Sequence, residues 1–309
     1  MASLLAHGPG HARSTDPRDR PRTRQLWPPL LVLAVGVAVN SLAGPLGAGR
    51  FDYPVSTSMA NQLFGLELVT TFLVVPALLG AAVLSWRESP VAPLLGFGPS
   101  AYVAYMFVQY VVGPDYAHYT PAPFLHIAIA SLGTFLTARC WSAALEVHLP
   151  AAAGAQRLRR TAWLLFLAAF VLSRYVPALA GAATGARIPR EFAGSSAFYW
   201  SIVLLDLGAV VPLTLLAAGV VARAGAASTH AYLAVSGWFA FVPPSVAAMA
   251  AVMVVKDDPN ASVPTLVLLL AASAAFAYPL VPGLRRLATT VAREPARAPG
   301  PPETPGAPR

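Results

Sequence analysis

The chain has 309 residues, of which 56% are apolar and only 11% are charged. A soluble domain carries about 25% charged residues, so the composition excludes an ordinary soluble fold and indicates helices that face lipid or one another. The formal charge is +8, but the basic residues lie beside apolar runs, where they orient a membrane protein, and they do not indicate a nucleic-acid partner. The single cysteine, Cys140, excludes an internal disulfide and a multi-cysteine metal or redox framework.

The two ends of the chain are too polar to cross a membrane. Residues 1–26 are polar and arginine-rich and predict a disordered cytoplasmic tail, not a cleavable signal peptide. Residues 285–309 are rich in proline, alanine and arginine and predict a second disordered cytoplasmic tail. Lys256 is the only lysine, and together with the alanine, proline and glycine content this is typical of a GC-rich, bacterial coding sequence.

Between the tails, residues 27–284 contain eight apolar segments of about the 20 residues that a bilayer-crossing helix needs. They are 27–46, 62–84, 91–112, 124–145, 161–183, 198–222, 231–255 and 263–284. The predicted fold class is therefore an all-α integral membrane protein with about eight transmembrane helices in one bundle. Pro243-Pro244 lies inside the seventh segment and predicts a break or kink, because proline lacks the amide donor and crowds the preceding turn.

The positions of arginine and lysine predict the orientation of the bundle. Eight segments place both termini on one side, and that side carries sixteen of the 21 basic residues against five on the other. Cytoplasmic loops of membrane proteins carry the excess of arginine and lysine. The pattern therefore predicts a multi-pass protein of the plasma membrane with both termini in the cytoplasm.

This orientation places the strongly polar residues of the apolar segments in the outer half of the bundle. An acidic side chain inside a membrane costs about 2.5–3.5 kcal/mol on insertion scales and marks a candidate functional site. The predicted catalytic residues are Glu67 and Asp206, which are suited to acid and base roles. The residues predicted to bind substrate in the same polar cluster are Asn40, Gln109, Tyr110, His126 and Arg174.

Two other interpretations of this cluster remain open. Arg174 and one carboxylate can form a structural ion pair that holds helices in register. Glu67, His126 and Asp206 form a mixed nitrogen and oxygen donor set, but no pair has the i, i+4 spacing of a strong metal motif, and no metal site is predicted. The sequence identifies no cofactor.

An internal echo links the second and sixth segments. Leu66-Glu67-Leu68 is followed by Val74-Val75-Pro76, and Leu205-Asp206-Leu207 is followed by Val210-Val211-Pro212. Parallel repeats of the kind found in some transporters explain the echo. Chance similarity between two segments rich in valine, leucine and alanine explains it equally well.

Aromatic side chains are concentrated around the third segment and the loop after it. They are Tyr102, Tyr105, Phe107, Tyr110, Tyr116 and Tyr119. Aromatic residues at this depth are most often a belt at the membrane interface. The alternative is an aromatic wall around a hydrophobic or cationic ligand.

Three functions agree with these features. The first is an integral-membrane enzyme that performs acid/base chemistry on a lipophilic prenyl or lipid substrate, by analogy with polytopic terpene cyclases. That analogy extends only to acidic residues on transmembrane helices. The second is a proton-coupled transporter or permease, and the third is a structural accessory subunit. A polar pocket on one side of the membrane favours the enzyme, because an alternating-access route needs polar residues in both halves. The expected partners are the lipid bilayer and a lipophilic small molecule.

Overall fold

The computed structural model describes residues 23–47, 49–51, 53–278 and 280, and these residues form an all-helical bundle without strands. Residues 1–22 and 285–309, which belong to the two predicted tails, lie outside the described part of the chain. Residues 24–26, predicted as tail, are helical, and Leu26 is buried. The first helix therefore begins before the predicted position at Trp27.

Eight helical segments follow one another along the described chain. We label them α1 (Arg24–Ala43), α2 (Thr57–Trp86), α3 (Ala92–Val112), α4 (Pro121–Ala144), α5 (Gly154–Thr184), α6 (Ser196–Ala222), α7 (Ser228–Val255) and α8 (Val263–Ala277). The helix α2 begins five residues before the predicted position at Gln62, because the Ser56 side chain accepts a hydrogen bond from the Met59 amide and caps the helix there.

Six of these segments are long and apolar enough to cross a membrane, and α3 and α8 are not among the six. Large apolar side chains lie exposed on the outside of the bundle, including Val32, Phe72, Leu204, Leu216 and Leu268. Such a surface agrees with contact to lipid. The bundle is therefore compatible with a polytopic membrane protein, while the number eight and the orientation stay predictions.

Hydrogen bonds between loops show that successive helices run in alternate directions. The loops 44–56, 113–120, 185–195 and 256–262 meet at one end of the bundle, which we call end A. There the Asp115 amide donates to the Pro54 carbonyl, and the Ser56 amide donates to Ser195 Oγ. At the opposite end, end B, Ser85 Oγ donates to the Thr23 carbonyl. End A is the side that the basic residues predict to face outward.

Two of the eight segments are broken. The predicted break in α7 is confirmed: helices Ser228–Phe239 and Val242–Val255 meet there, with Pro243 and Pro244 in the first turn of the second helix. The fifth segment, predicted as one helix over 161–183, consists of helices Gly154–Ser173 and Val176–Thr184. The cause is Pro177, which has no amide hydrogen to continue the first helix.

The segments α2 and α6 each contain a π-helical turn that is followed by one valine and then a proline. The turns are Thr70–Val74 and Asp206–Val210, and they precede Pro76 and Pro212. In each turn the valine before the proline donates its amide hydrogen to a carbonyl five residues earlier. The wider turn moves a carbonyl away from the proline ring. The internal echo thus includes the same backbone distortion in both segments.

Helix packing divides the bundle into two halves with the same neighbours. In the first half α1 packs on α2, α2 on α3 and α3 on α4; in the second α5 packs on α6, α6 on α7 and α7 on α8. The halves meet where α2 and α3 pack on α7 and where α3 packs on α6.

Small residues allow the close approach of the two halves. A Cβ atom on Gly98 of α3 would lie 2.7 Å from the carbonyl oxygen of Gly237 on α7. A Cβ atom on Gly65 of α2 would lie 2.4 Å from the Ala248 carbonyl oxygen on α7. Membrane helices use small residues in this way, since close backbones gain van der Waals contact.

Candidate functional site

The acid of α2 lies in a closed polar cluster. Both Glu67 oxygens accept hydrogen bonds: Asn40 Nδ2 donates to Oε1 at 3.0 Å, the Tyr110 hydroxyl donates to the same oxygen, and Ser41 Oγ donates to Oε2. All four residues are buried. We call Asn40, Ser41, Glu67 and Tyr110 the Glu67 cluster; it joins α1, α2 and α3.

His126 of α4 extends this cluster toward end A. Its Nε2 lies 2.8 Å from Asn40 Oδ1 and 3.3 Å from the hydroxyl oxygen of Tyr53. The Tyr53 and His126 rings stack with centroids 5.7 Å apart, and Phe107 covers the histidine from a further side at 5.8 Å. Burial raises the pKa of Tyr53, which lies in the loop before α2, and Glu67 adds to the shift. The Tyr53 hydroxyl therefore stays protonated.

The acid of α6 lies in a second cluster, on another face of α3. The Tyr105 hydroxyl donates to Asp206 Oδ1 at 2.6 Å, and the Tyr175 hydroxyl donates to Oδ2. Arg174 Nη1 lies 3.9 Å from Oδ2, with 45% of its side chain exposed against 6% for Asp206. We call Tyr105, Arg174, Tyr175 and Asp206 the Asp206 cluster. The distance between the charged groups of this pair is long, and the Arg174 side chain is half exposed. A structural ion pair that holds helices in register is expected to be buried.

The break in α5 brings two members of the Asp206 cluster into place. Arg174 and Tyr175 lie between the two helices of α5, where Pro177 ends the regular hydrogen bonding. Asp206 is the first residue of the π-helical turn in α6. Such turns change the direction of side chains and often occur at functional sites.

Two neighbouring cavities adjoin the Asp206 cluster. The smaller one, of about 40 Å³, is lined by Asp206, Arg174 and the aromatic residues Tyr105, Phe170, Trp238, Phe239 and Phe276, together with aliphatic side chains. We call this the aromatic chamber. The larger one, the main cavity, has a volume of about 390 Å³ and shares Tyr105 and Arg174 with the chamber. Its size falls in the range of small-molecule sites.

The main cavity lies between the two halves of the bundle and reaches end A. Gln62 and Gln109 line it from the first half, and Ser245 and Met249 line it from the second. Glu191, in the loop before α6, also borders it. Glu67 and His126 do not line the main cavity or the aromatic chamber.

The polar residues that were expected in one cluster form two hydrogen-bonded groups. Asn40, Tyr110 and His126 lie with Glu67, whereas Arg174 lies with Asp206 and Gln109 borders the adjoining cavity. Tyr105 and Tyr110, which bind the two acids, are five residues apart on α3. Five residues turn a helix by about 140°, so the two hydroxyls point to different sides. Depth along a helix could be estimated from the sequence, but the facing direction could not.

The separation also bears on metal binding. The donor set Glu67, His126 and Asp206 is divided between the two clusters. Among the described residues, no group of three or more histidine, cysteine, aspartate or glutamate side chains is close enough to hold a metal ion.

Four members of these networks were not predicted as site residues: Ser41, Tyr53, Tyr105 and Tyr175. Tyr105 was identified only as one of the aromatic residues around the third segment. Tyr175 follows Arg174 directly, and the signal that could have identified it is Pro177, which predicts a helix break at that depth. Tyr53 lies in the loop between α1 and α2, where nothing in the sequence indicates a contact with His126.

A third acid, Asp258, joins α2 to the loop before α8. Its carboxylate accepts hydrogen bonds from Ser58 Oγ at 2.8 Å, Asn61 Nδ2 at 2.8 Å and the Asn260 amide at 2.9 Å. Burial alone raises the pKa of Asp258, but these donors outweigh burial and hold the pKa below its usual value. The carboxylate is therefore charged and fully hydrogen-bonded, as expected of a structural link.

Comparisons of the chain with known proteins found no match. No protein-family model matches the chain, and no curated protein or solved structure matches it. The class of the protein therefore rests on its own features: a helical bundle with six segments able to cross a membrane.

Proposed function

We propose that the protein is an integral-membrane enzyme that binds a lipophilic substrate in the main cavity, with Asp206 as the group that exchanges a proton. One observation carries the proposal: of the two membrane acids, Asp206 borders a cavity with largely apolar walls. A largely apolar pocket with a few convergent polar groups is the usual form of a small-molecule site.

The hydrogen bonds of Asp206 connect it to the cavity wall. Two hydroxyl groups donate to its carboxylate, and a guanidinium lies beside it. Tyr105 borders both cavities and donates to Asp206, so its hydroxyl can relay a substrate proton to the carboxylate. Arg174 then holds the carboxylate in place and is a positioning residue.

The aromatic chamber favours a substrate that develops positive charge. Phe170, Trp238, Phe239 and Phe276 line the chamber together with Asp206. Aromatic faces attract cations, most strongly when water is excluded. In the proposed reaction the protonated Asp206 gives its proton to an alkene of a prenyl chain, and the chamber stabilises the carbocation that forms. The carbocation then returns a proton from a neighbouring carbon to the Asp206 carboxylate, by analogy with polytopic terpene cyclases.

Glu67 has a different part in this proposal. It is fully buried and accepts three hydrogen bonds. We expect it to position α3, and with it Tyr105, by holding Tyr110.

The test compares Asp206→Asn with Glu67→Gln in a strain that lacks the protein. Lipid extracts from strains with the wild-type chain, each variant or no chain are compared by mass spectrometry, and each purified variant is melted in detergent. General acid/base groups contribute about 10²–10⁴-fold to a rate. We expect Asp206→Asn to keep its melting temperature and to give the lipid profile of the strain without the chain.

A wild-type lipid profile from Asp206→Asn would refute the enzyme proposal. If Asp206→Asn, Glu67→Gln and Arg174→Gln all lower the melting temperature together, the polar residues form a structural network and the accessory-subunit interpretation gains. Trp86→Phe serves as the control, because Trp86 is exposed at the end of α2 and lines neither of the two cavities.

A proton-coupled transporter is the second candidate, and the repeated packing favours it. Transporters built from repeats bind substrate at the repeat interface, and the main cavity lies between the two halves. Reconstituted vesicles distinguish the candidates. A transporter moves a cavity ligand across the membrane with proton flux and leaves it chemically unchanged, whereas an enzyme converts it.

A further inference from the structure

The main cavity contains two carboxamides whose hydrogen-bonding capacity is largely unused. Gln62 of α2 and Gln109 of α3 line it, and they are 5% and 3% exposed. Gln62 Nε2 is buried and has no hydrogen-bond partner among the described residues. Gln109 Nε2 has only the sulfur of Met106, at 3.8 Å.

Buried polar groups without hydrogen-bond partners lower the stability of the folded chain unless a ligand bonds to them. An unsatisfied buried donor costs about 1–3 kcal/mol, and thioether sulfur is a weak acceptor. Apolar side chains at both positions would fill the same space without this cost. We infer that Gln62 and Gln109 form the subsite for the polar head of the ligand, while the apolar walls of the cavity hold its chain.

The charges around the cavity select the chemistry of that head. The charged residues that line the main cavity are one acid, Glu191, and one base, Arg174, so its wall offers no net charge of opposite sign to an ionic head. An ammonium head has no acceptor to offer Gln62 Nε2. A hydroxyl both donates and accepts, so it satisfies a carboxamide in either rotation of the amide.

The structure therefore assigns the main cavity to a lipophilic alcohol, a chain with an uncharged hydroxyl head. This assignment rests on the proposed function, because it names the substrate class of the same cavity. It also places the head away from Asp206, since Gln62 and Gln109 line the main cavity and not the aromatic chamber. The chain end, and not the hydroxyl, then lies toward the proton-exchanging carboxylate.

The test uses three probes with one chain and different heads: farnesol, farnesoic acid and farnesylamine. Binding of each tritiated probe to the full chain in phosphatidylcholine nanodiscs is measured after subtraction of the binding to empty nanodiscs. We expect farnesol to bind about tenfold more tightly than the acid or the amine. Gln62→Met and Gln109→Met, which keep the side-chain volume, should each weaken farnesol binding about five- to tenfold.

Gln156→Met is the matched control, because Gln156 lies in the first turn of α5 and lines neither of the two cavities. If Gln62→Met does not fold, Gln62→Leu and the Gln109 variant carry the same test. Tightest binding of the acid or the amine would overturn the alcohol assignment but leave the cavity as the site. Equal binding of farnesol to the wild type and to both variants would overturn the head subsite.

The enzyme proposal fails separately, through an unchanged lipid profile in Asp206→Asn. Suppose that farnesol binds in a way that depends on Gln62, that it is not converted, and that Asp206→Asn has no phenotype. This combination would support the head subsite and refute the enzyme proposal. Absence of binding by all three probes would overturn the assignment of the cavity to such alcohols.

Discussion

Glu67 and Asp206 lie at matching positions along α2 and α6, which share the same proline-linked distortion, yet the surroundings of the two acids differ. Glu67 is enclosed by Asn40, Ser41 and Tyr110 and has no exposed surface. Asp206 has hydroxyl donors as well, but it borders the aromatic chamber and its cationic neighbour is half exposed. Access to a cavity is therefore the feature that distinguishes the proposed reactive acid, Asp206, from the enclosed acid, Glu67.

The largest effect should come from removal of the enclosed acid. Glu67→Ala removes the acceptor of the buried donors on Asn40 and Tyr110, whereas Ser41 keeps the Val37 carbonyl. We expect a loss of about 3 kcal/mol in the free energy of unfolding. Asp206→Ala should cost about 1–2 kcal/mol, because its partners lie beside a cavity. Melting temperatures of both variants in the same detergent measure the difference. An equal or larger loss in Asp206→Ala would contradict the distinction between the clusters.

The next effect separates the two tyrosines of α3. Tyr105→Phe removes a donor of Asp206 and should lower product formation about tenfold, with little change in melting temperature. Tyr110→Phe removes a donor of Glu67 and should lower the free energy of unfolding by about 1 kcal/mol. Product in lipid extracts and melting temperature are recorded for both variants. The opposite assignment of the two effects would place the reactive site at Glu67.

A smaller effect is expected at the cation of the Asp206 cluster. Arg174→Gln removes a half-exposed guanidinium 3.9 Å from the carboxylate, so it should cost less than about 1 kcal/mol of stability. Product formation should fall clearly even though the melting temperature changes little, because Asp206 loses a group that orients it. Arg174→Lys is the matched variant, and recovery of product with it would show that charge suffices. A large stability loss in Arg174→Gln would support the structural ion pair.

The smallest effect concerns Asp258, the acid that is hydrogen-bonded outside the membrane segments. Its pKa is lowered in the folded chain, so its charged form contributes stability above the pKa of an unfolded aspartate, about 3.9. That contribution is lost as the pH falls through the folded value. Asp258→Asn should therefore melt below the wild type at pH 7, and the difference should shrink below about pH 4. A difference that does not depend on pH would show that the charge is not what stabilises the loop.

Much of the fold follows from local sequence. Apolar length places most helix ends to within a few residues, although α5 begins at Gly154 and not at the predicted residue 161. Pro243-Pro244 predicts the break in α7, because proline cannot donate the missing hydrogen bond. The break in α5 was missed although Pro177 provides the same signal. The physical reason is that apolar residues continue on both sides of Pro177. The mean hydropathy of a segment depends on its side chains and does not detect a break in the backbone.

The sequence by itself determined the class of structure and the identity of the polar residues in the membrane segments. Both depend on transfer energies that act residue by residue. Only the tertiary structure decided that Glu67 and Asp206 belong to different clusters, because that depends on the rotation of each helix and on which face of α3 meets α2 or α6. It also decided that Asp206 borders a cavity, since a cavity is the space left by all the helices packed around it.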